Sequence, residues 1–441
     1  MAVAVPVEEY QRRREQVLKR LAAADESAIA VIPSAQLVTR SNDTEFPFRQ
    51  NSDFFYLTGF NEPDAVLVLA PDAELPVQLY CQPKDPQQEV WHGRRLGVAR
   101  AVDALGVDVA HAIDELDEHL WQLLDGVHTV YCDQSNQDFF QHLLGLAAEL
   151  RSSGKRGVQP PQRWQDISPW LHTMRLVKSN AELELMREAA RISVLAHQRA
   201  MKFVAPGRYE YQVAAELHHE FAMHGAAAPA YGTICGSGDN ACILHYTENS
   251  DALNDGDLIL IDAGAEYQGY AADITRTFPV NGTFSEPQKQ LYEVVLQAQF
   301  ASLDVIRPGA TLQQAQDVAA HALTEGLVEL GILHGSVKDN IEQATYRRFF
   351  IHGLGHWLGL DVHDVGDARR GDKTTPFKPG MVLTVEPGLY IPADADAVDS
   401  QWRGIGIRIE DDVVVTADGH ENLTAAVPKT VAEIETWMQN K

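Results

Sequence analysis

The sequence predicts an α/β chain of two domains, the second built from two similar halves. Three observations carry this reading. At 441 residues the chain is too long for one ordinary hydrophobic core. Its first part alternates helical and β-rich runs, and its second part repeats itself. The expected division is 1–172 for an N-terminal α/β domain and 173–441 for an α+β domain with pseudo-twofold symmetry.

Taken in order, the apolar spacing over Tyr10–Leu21 predicts a helix, and Ala65–Ala70 and Val127–Tyr131 read as short strands. No cluster with metal-ligand spacing stands out in this first part. A polar stretch with Gly154, Gly157, Pro160 and Pro161 reads as a linker, placing the boundary near Trp170. An amphipathic helix is expected over Ala181–Phe203. The repeat follows. Val204-Ala205-Pro206-Gly207 precedes a helix containing Val213 and Ala214, as Ile306-Arg307-Pro308-Gly309 precedes one containing Ala315 and Val318. The strand ending Ile261-Asp262-Ala263-Gly264 aligns with the one ending Val385-Glu386-Pro387-Gly388, so Asp262 and Glu386 occupy equivalent places.

Composition narrows the function classes. A net charge of -26 makes nucleic acid and anionic lipid poor partners and leaves a cation site open, although excess carboxylates also serve solubility. No run approaches the ~20 apolar residues of a membrane span. The charged start through Glu8, Glu9, Arg12, Arg13 and Arg14 does not resemble a secretory leader, so a cytoplasmic location is expected. Cys81, Cys132, Cys235 and Cys242 show no C-x-x-C pairing and are expected to be buried, reduced thiols.

The chemistry-bearing residues lie in the second part. Asp262 and Asp273 bracket a predicted hairpin turning near Gln268-Gly269; pairing centred on Tyr267 and Gln268 would set the two acids directly opposite each other. Ile405, Ile407 and Ile409 alternate with Gly406, Arg408 and Glu410, which puts Arg408 and Glu410 on one face. With Glu386, four acids sit on two related strand pairs. Histidines gather at His352, His356 and His363, interleaved with glycines that permit close backbone approach, and another stands at His245. One imidazole with four carboxylates suits a hard divalent ion such as Mn²⁺ and excludes a thiolate zinc site. Four negative charges balance two such ions, and a water between two metals loses enough of its pKa to attack at neutral pH, so hydrolysis is the expected chemistry.

Asp262, Asp273, His356, Glu386 and Glu410, in this order and these contexts, resemble the metal ligands of the pita-bread-fold metallopeptidases, a family that includes methionine aminopeptidases, prolidases and aminopeptidases P. The resemblance implies two divalent metal ions per subunit, most naturally Mn²⁺ with Co²⁺ or Zn²⁺ as alternatives. It implies that Asp273 and Glu410 bridge them, that Asp262 binds one and His356 with Glu386 the other, and that Glu386 exchanges protons with the attacking water. His245, His352, His363 and Arg408 resemble the family's outer catalytic residues. The segments His245–Asn249, His352–Val365, Gly404–Asp412, Arg49–Phe54 and Tyr56–Phe60 look most like the bacterial aminopeptidase P branch. That branch releases an N-terminal residue preceding proline, so peptides beginning Xaa-Pro are the implied partners and a homo-oligomer, dimer or tetramer, the implied assembly. Trp91 resembles a residue reaching a neighbouring subunit's site, and Lys155 and Arg156 align only loosely with a basic contact. A prolidase, restricted to dipeptides, is the nearest alternative, and a metal-free binding protein on the same fold a more distant one.

Overall fold

A computed structural model describes residues 4–23, 27–153, 157–371 and 373–440. Lys155 and Arg156 lie outside the described residues. Val5–Met174 forms one compact unit and the chain from Arg175 onward another.

The first unit is a six-stranded mixed sheet with helices. Its elements are α1 (Val7–Ala22), β1 (Ala28–Pro33), β2 (Val66–Leu69), β3 (Val77–Cys81), β4 (Val109–Ala112), α2 (Leu116–Leu123), β5 (Thr129–Cys132), α3 (Gln137–Ser152) and β6 (Arg163–Asp166), in the spatial order β4-β3-β2-β1-β5-β6. The central strands are almost entirely apolar and buried, as strands covered on both faces are. Leu116, Leu120, Leu143, Leu146 and Leu150 of the helices pack in one core with Val31, Val68 and Val130. Arg13 and Arg14 of α1 are buried, donating to the Tyr56 and Leu57 carbonyls at 2.9 and 2.8 Å, where the short helix Ser52–Thr58 ends and its unpaired carbonyls carry partial negative charge. Of the stretch expected to be a linker, the described residues Gly157, Pro160 and Pro161 lie inside this unit. They lead into β6, which pairs in parallel with β5, because the Arg163–Asp166 backbone completes the sheet despite its polar, largely exposed side chains.

The second unit realises the repeat as two helix pairs and two strand systems. α4 (Asn180–Phe203) packs on α5 (Glu210–Met223), and α6 (Glu286–Leu303) on α7 (Leu312–Glu329). Ser179 and Glu182 close a capping box at the start of α4, a device worth about 1 kcal/mol. The first strand system is β7 (Ile234–Ser237), β8 (Leu258–Asp262) and β9 (Thr275–Pro279), all antiparallel. The second contains β10 (Val382–Val385), β11 (Gly388–Ile391), β12 (Ile405–Arg408) and β13 (Asp411–Val415), with β10 against β13 and β11 against β12. The systems are stitched together where the Glu410 N–H donates to the Thr275 carbonyl at 3.1 Å and the Thr277 hydroxyl donates to the Arg408 carbonyl at 3.0 Å.

One register differs from expectation. Asp262 faces Thr275, and Tyr267 faces Tyr270, so Asp273 lies diagonal to Asp262 rather than opposite it. The turn decides this: Gln268 and Gly269 both take positive φ, 49° and 85°, and a two-residue turn of that kind must sit at the centre of the hairpin. Because the offset is two residues, both acids still point to the same face. Across the second pair, the registers Val385↔Asp411 and Gly388↔Arg408 set Glu386 directly opposite Glu410. The cysteines are free; Cys81, Cys132 and Cys235 are buried, whereas Cys242 is partly exposed rather than fully enclosed. Among the described residues no helix is long and apolar enough to cross a membrane.

Candidate metal centre

Strand ends deliver the four acids to one cavity. Asp262 closes β8, Asp273 precedes β9 by two residues, Glu386 follows β10, and Glu410 lies between β12 and β13. His356 arrives from the glycine-rich loop, held against β10 by its own N–H donating to Thr384 Oγ1 at 3.1 Å and its carbonyl accepting the Thr384 N–H at 3.0 Å. Gly355 makes that approach possible, since a Cβ there would stand 2.1 Å from the Thr384 carbonyl oxygen. All five residues line a cavity of about 510 Å³, together with Tyr231, His245, His352, His363 and Arg408.

Ligand atoms of Asp273, His356 and Glu410 lie within 4.8 Å of one another. His356 Nε2 is 3.5 Å from both Asp273 Oδ2 and Glu386 Oε1, and its Nδ1 is 2.9 Å from the Trp357 carbonyl, so an Nδ1–H donated there leaves Nε2 with its lone pair toward the acids. The Tyr231 hydroxyl reaches both Asp262 Oδ1, at 2.6 Å, and Asp273 Oδ1. Thr275 donates to Glu410 Oε2 at 2.6 Å, and Thr384 to Glu386 Oε1 at 3.2 Å. Arg408 pairs with Asp262 Oδ2 and donates to the Tyr390 hydroxyl at 2.9 Å.

Burial is the main force on these acids. It pushes the Asp273 carboxyl well above the usual range, with Asp262 and Glu386 adding repulsion, and does the same to Glu410, beside Asp273 and Asp262. Glu386 is raised to about 8 by burial and then by Glu410. Four carboxylates facing one buried cation, Arg408, are short of positive charge. The donor set, acids with one imidazole, fits hard or borderline divalent ions that would supply it.

The surrounding histidines are of another kind. His352 is held near 4, first by burial and then by Arg408; its Nε2 is 2.8 Å from the Tyr390 hydroxyl. His363 is lowered by burial, then by His356 and His245, and its ring lies 4.3 Å from that of His356. His245 is exposed at the cavity wall. His363 belongs to a loop closed by the Asp364 N–H donating to the Trp357 carbonyl at 2.8 Å. Asp364 is itself buried against Lys178 Nζ, at 2.9 Å, and Arg175.

Sequence reasoning missed Tyr231, Thr275, Thr384 and Tyr390. Thr275 and Thr384 each stand two residues from a predicted ligand and Tyr390 four from Glu386, so strand periodicity was the available signal. Tyr231, in a loop, had none. It also missed an assembly in the first unit, where His111, Glu115 and His119 bring ligand atoms within 4.8 Å of one another. Their i, i+4, i+8 spacing has a helical period, but the segment is a strand, a turn and a helix in succession, so only the folded backbone shows that the three meet.

Comparison with known proteins agrees with this geometry. Residues 184–417 match the model of metallopeptidase family M24, and residues 10–131 that of the aminopeptidase P N-terminal domain. The chain is 49% identical over 434 residues to the Xaa-Pro aminopeptidase of Escherichia coli, covering 98% of this chain and 97% of that one. The structure of Pseudomonas aeruginosa aminopeptidase PepP superposes with a TM-score of 0.97 at 47% identity, covering 100% of this chain and 99% of that one. Aminopeptidase P from E. coli with the inhibitor Pro-Leu superposes with a TM-score of 0.95 at 48% identity, covering 99% of each. The matched segments span both units at high identity, and the chain therefore belongs to metallopeptidase family M24, with an aminopeptidase P N-terminal domain ahead of its catalytic unit.

Proposed function

We infer that this protein is an Xaa-Pro aminopeptidase, hydrolysing the bond before a proline in second position and releasing the N-terminal residue. The observation that carries the reading is the single cavity joining Asp262, Asp273, His356, Glu386 and Glu410, in a chain 49% identical along nearly its whole length to an Xaa-Pro aminopeptidase. The Pro-Leu inhibitor of the E. coli relative has the form of what remains after such a cleavage.

In this reading those five residues would hold two divalent cations. Bound there, the cations supply a water of lowered pKa and a Lewis acid for the scissile carbonyl. Glu386 accepts the water's proton on a carboxylate oxygen and passes it to the prolyl nitrogen as the C–N bond breaks, while the water's oxygen bonds to the carbonyl carbon. Its position between His356, 3.5 Å from Oε1, and His352, 3.8 Å from Oε2, suits that exchange. Arg408, tied to Asp262, Thr275 and Tyr390, keeps the Asp262 carboxyl aligned. His363 and His245 present N–H donors to the substrate carbonyl and the residues beyond it, while His352, held neutral with its one N–H on the Gly353 carbonyl at 2.7 Å, lines the cavity beside them.

We further propose Mn²⁺ as the resident metal, because the donors are predominantly oxygen. A homo-oligomer is supported by Trp91 and Val90, which are 82% and 79% exposed side by side on one short helix. A cytoplasmic location fits the free, mostly buried thiols.

The test is a peptide panel read by mass spectrometry. Xaa-Pro-Yaa peptides with a free amine should lose only Xaa, whereas Xaa-Ala-Yaa and N-acetylated peptides should be poor substrates. Cleavage confined to Xaa-Pro dipeptides would instead identify a prolidase.

A further inference from the structure

We propose that His111, Glu115 and His119 form a transition-metal site in the N-terminal unit, independent of the carboxylate centre. His111 lies on β4, Glu115 in the single turn Ile113–Glu115, and His119 on α2, so a shared ion would tie the end of the strand to the helix that follows.

The geometry is close to what an ion needs. His111 Nδ1 and Glu115 Oε2 are 3.5 Å apart, and one ligand atom from each of the three residues lies within 4.8 Å of the others. Tetrahedral coordination with bonds of about 2.0–2.1 Å separates neighbouring ligand atoms by about 3.4 Å. The first pair already meets that edge. The remaining closure is a side-chain rotation, for which Glu115, with 51% of its side chain exposed, has the freedom.

A hydrogen-bond chain behind the site sets the tautomer of His119. Gln78 Nε2 donates to the Leu75 carbonyl at 3.1 Å, which directs Gln78 Oε1 toward Tyr80. The Tyr80 hydroxyl donates to that oxygen at 3.0 Å. Its oxygen is therefore the acceptor in the 3.3 Å contact with His119 Nδ1, so Nδ1 carries the proton and Nε2 keeps its lone pair for a ligand. Tyr80 is fully buried, and burial pushes its phenol up to about 12, so this arrangement persists at neutral pH. Burial, and then His119, lower the His111 pKa despite Glu115 beside it, which favours the lone-pair form that a ligand needs. Ring packing accounts for Tyr80, His111 and His119, whose centroids lie 4.5–5.7 Å apart. Glu115 adds a carboxylate oxygen 3.5 Å from His111 Nδ1, so two imidazoles and one carboxylate bring ligand atoms to one place. Two imidazoles, one carboxylate and an open fourth position for water select a borderline ion, with Zn²⁺ the natural probe.

The experiment uses the full-length protein, dialysed against micromolar free Zn²⁺ and analysed for metal per chain, beside His119→Ala and Glu115→Gln. The parent should hold one more Zn²⁺ per chain than either variant, and all three should cleave Xaa-Pro peptides equally once supplied with Mn²⁺. Glu115→Gln alters one exposed side chain and keeps the fold, so its result stands even if His119→Ala is destabilised. Equal zinc content in the parent and Glu115→Gln would overturn the proposal.

Discussion

Replacing Asp364 with Ala should unfasten the loop that carries His363. Both Asp364 oxygens are engaged, Oδ1 by Arg175 and Oδ2 by Lys178 at 2.9 Å, and the side chains of all three residues are no more than 3% exposed. Removing the acid takes the counter-ion from the buried Lys178, while Arg175 keeps its pair with Asp361 at 2.6 Å, a loss of about 3–5 kcal/mol for the broken buried pair. For a unit of this size each kcal/mol moves the midpoint by about 2–4 °C, so Asp364→Ala should melt about 10 °C below the parent. Asp364→Asn keeps the shape and loses the charge, and should fall between them. The sign of the pH dependence is set by the Asp364 carboxyl. Although burial opposes ionisation, Lys178 and Arg175 overcome it and hold the folded pKa below 3.8. The stabilisation is therefore present above the unfolded pKa and lost as pH falls through the folded one, so parent and Asp364→Asn should converge in acid. The assays are calorimetry across pH, and kcat/KM on an Xaa-Pro-Yaa peptide at a temperature where every variant is folded. Activity should drop with metal content unchanged, because the loop positions His363 rather than a metal ligand. A melting point within about 2 °C of the parent for Asp364→Ala would refute the reasoning, since it would mean that Lys178 finds water or another acid at little cost.

Three further outcomes are expected. Chelation should abolish cleavage, and elemental analysis of active protein should find about two divalent ions per chain; full activity without divalent metal would contradict the assignment. Asp273→Ala and Glu410→Ala should lose metal and activity together, whereas His245→Ala and His363→Ala should keep metal and slow turnover on the order of 100-fold; equal metal loss in all four would remove the distinction. In the metal-free protein, Glu386 is raised from 4.5 to about 8, chiefly by burial and then by Glu410. Its ionisation therefore costs nothing below about 4.5, costs progressively more up to about 8, and reaches about 5 kcal/mol above that. Adding Mn²⁺ should accordingly raise the unfolding temperature more at pH 8 than at pH 5, and equal gains would count against a charge-starved site.

Much of this protein is written in local pattern. The helix read at Tyr10–Leu21 spans Val7–Ala22, and the one at Ala181–Phe203 spans Asn180–Phe203, because apolar spacing and caps act within a few turns. Asp262 and Glu386 could be paired from sequence because each follows a hydrophobic strand in a repeated unit. Thr275, Thr384 and Tyr390 carried the same two-residue signal, in residue types too common to single out.

The sequence alone thus determined the classes of element, the repeat and the acids and histidines that face one another. Their register was decided elsewhere. Gln268-Gly269 shifted the Asp262 hairpin by two residues because a two-residue turn with both φ positive matches the twist of the strands and so takes the centre of the hairpin. The Tyr231 hydroxyl between Asp262 and Asp273, the Lys178–Asp364–Arg175 clamp and the His111–Glu115–His119 cluster are also products of tertiary structure. The first two join residues far apart in the chain, which only the packing of a core brings together, and the third, although spaced i, i+4, i+8, runs from a strand through a turn into a helix, so its meeting depends on how that backbone bends.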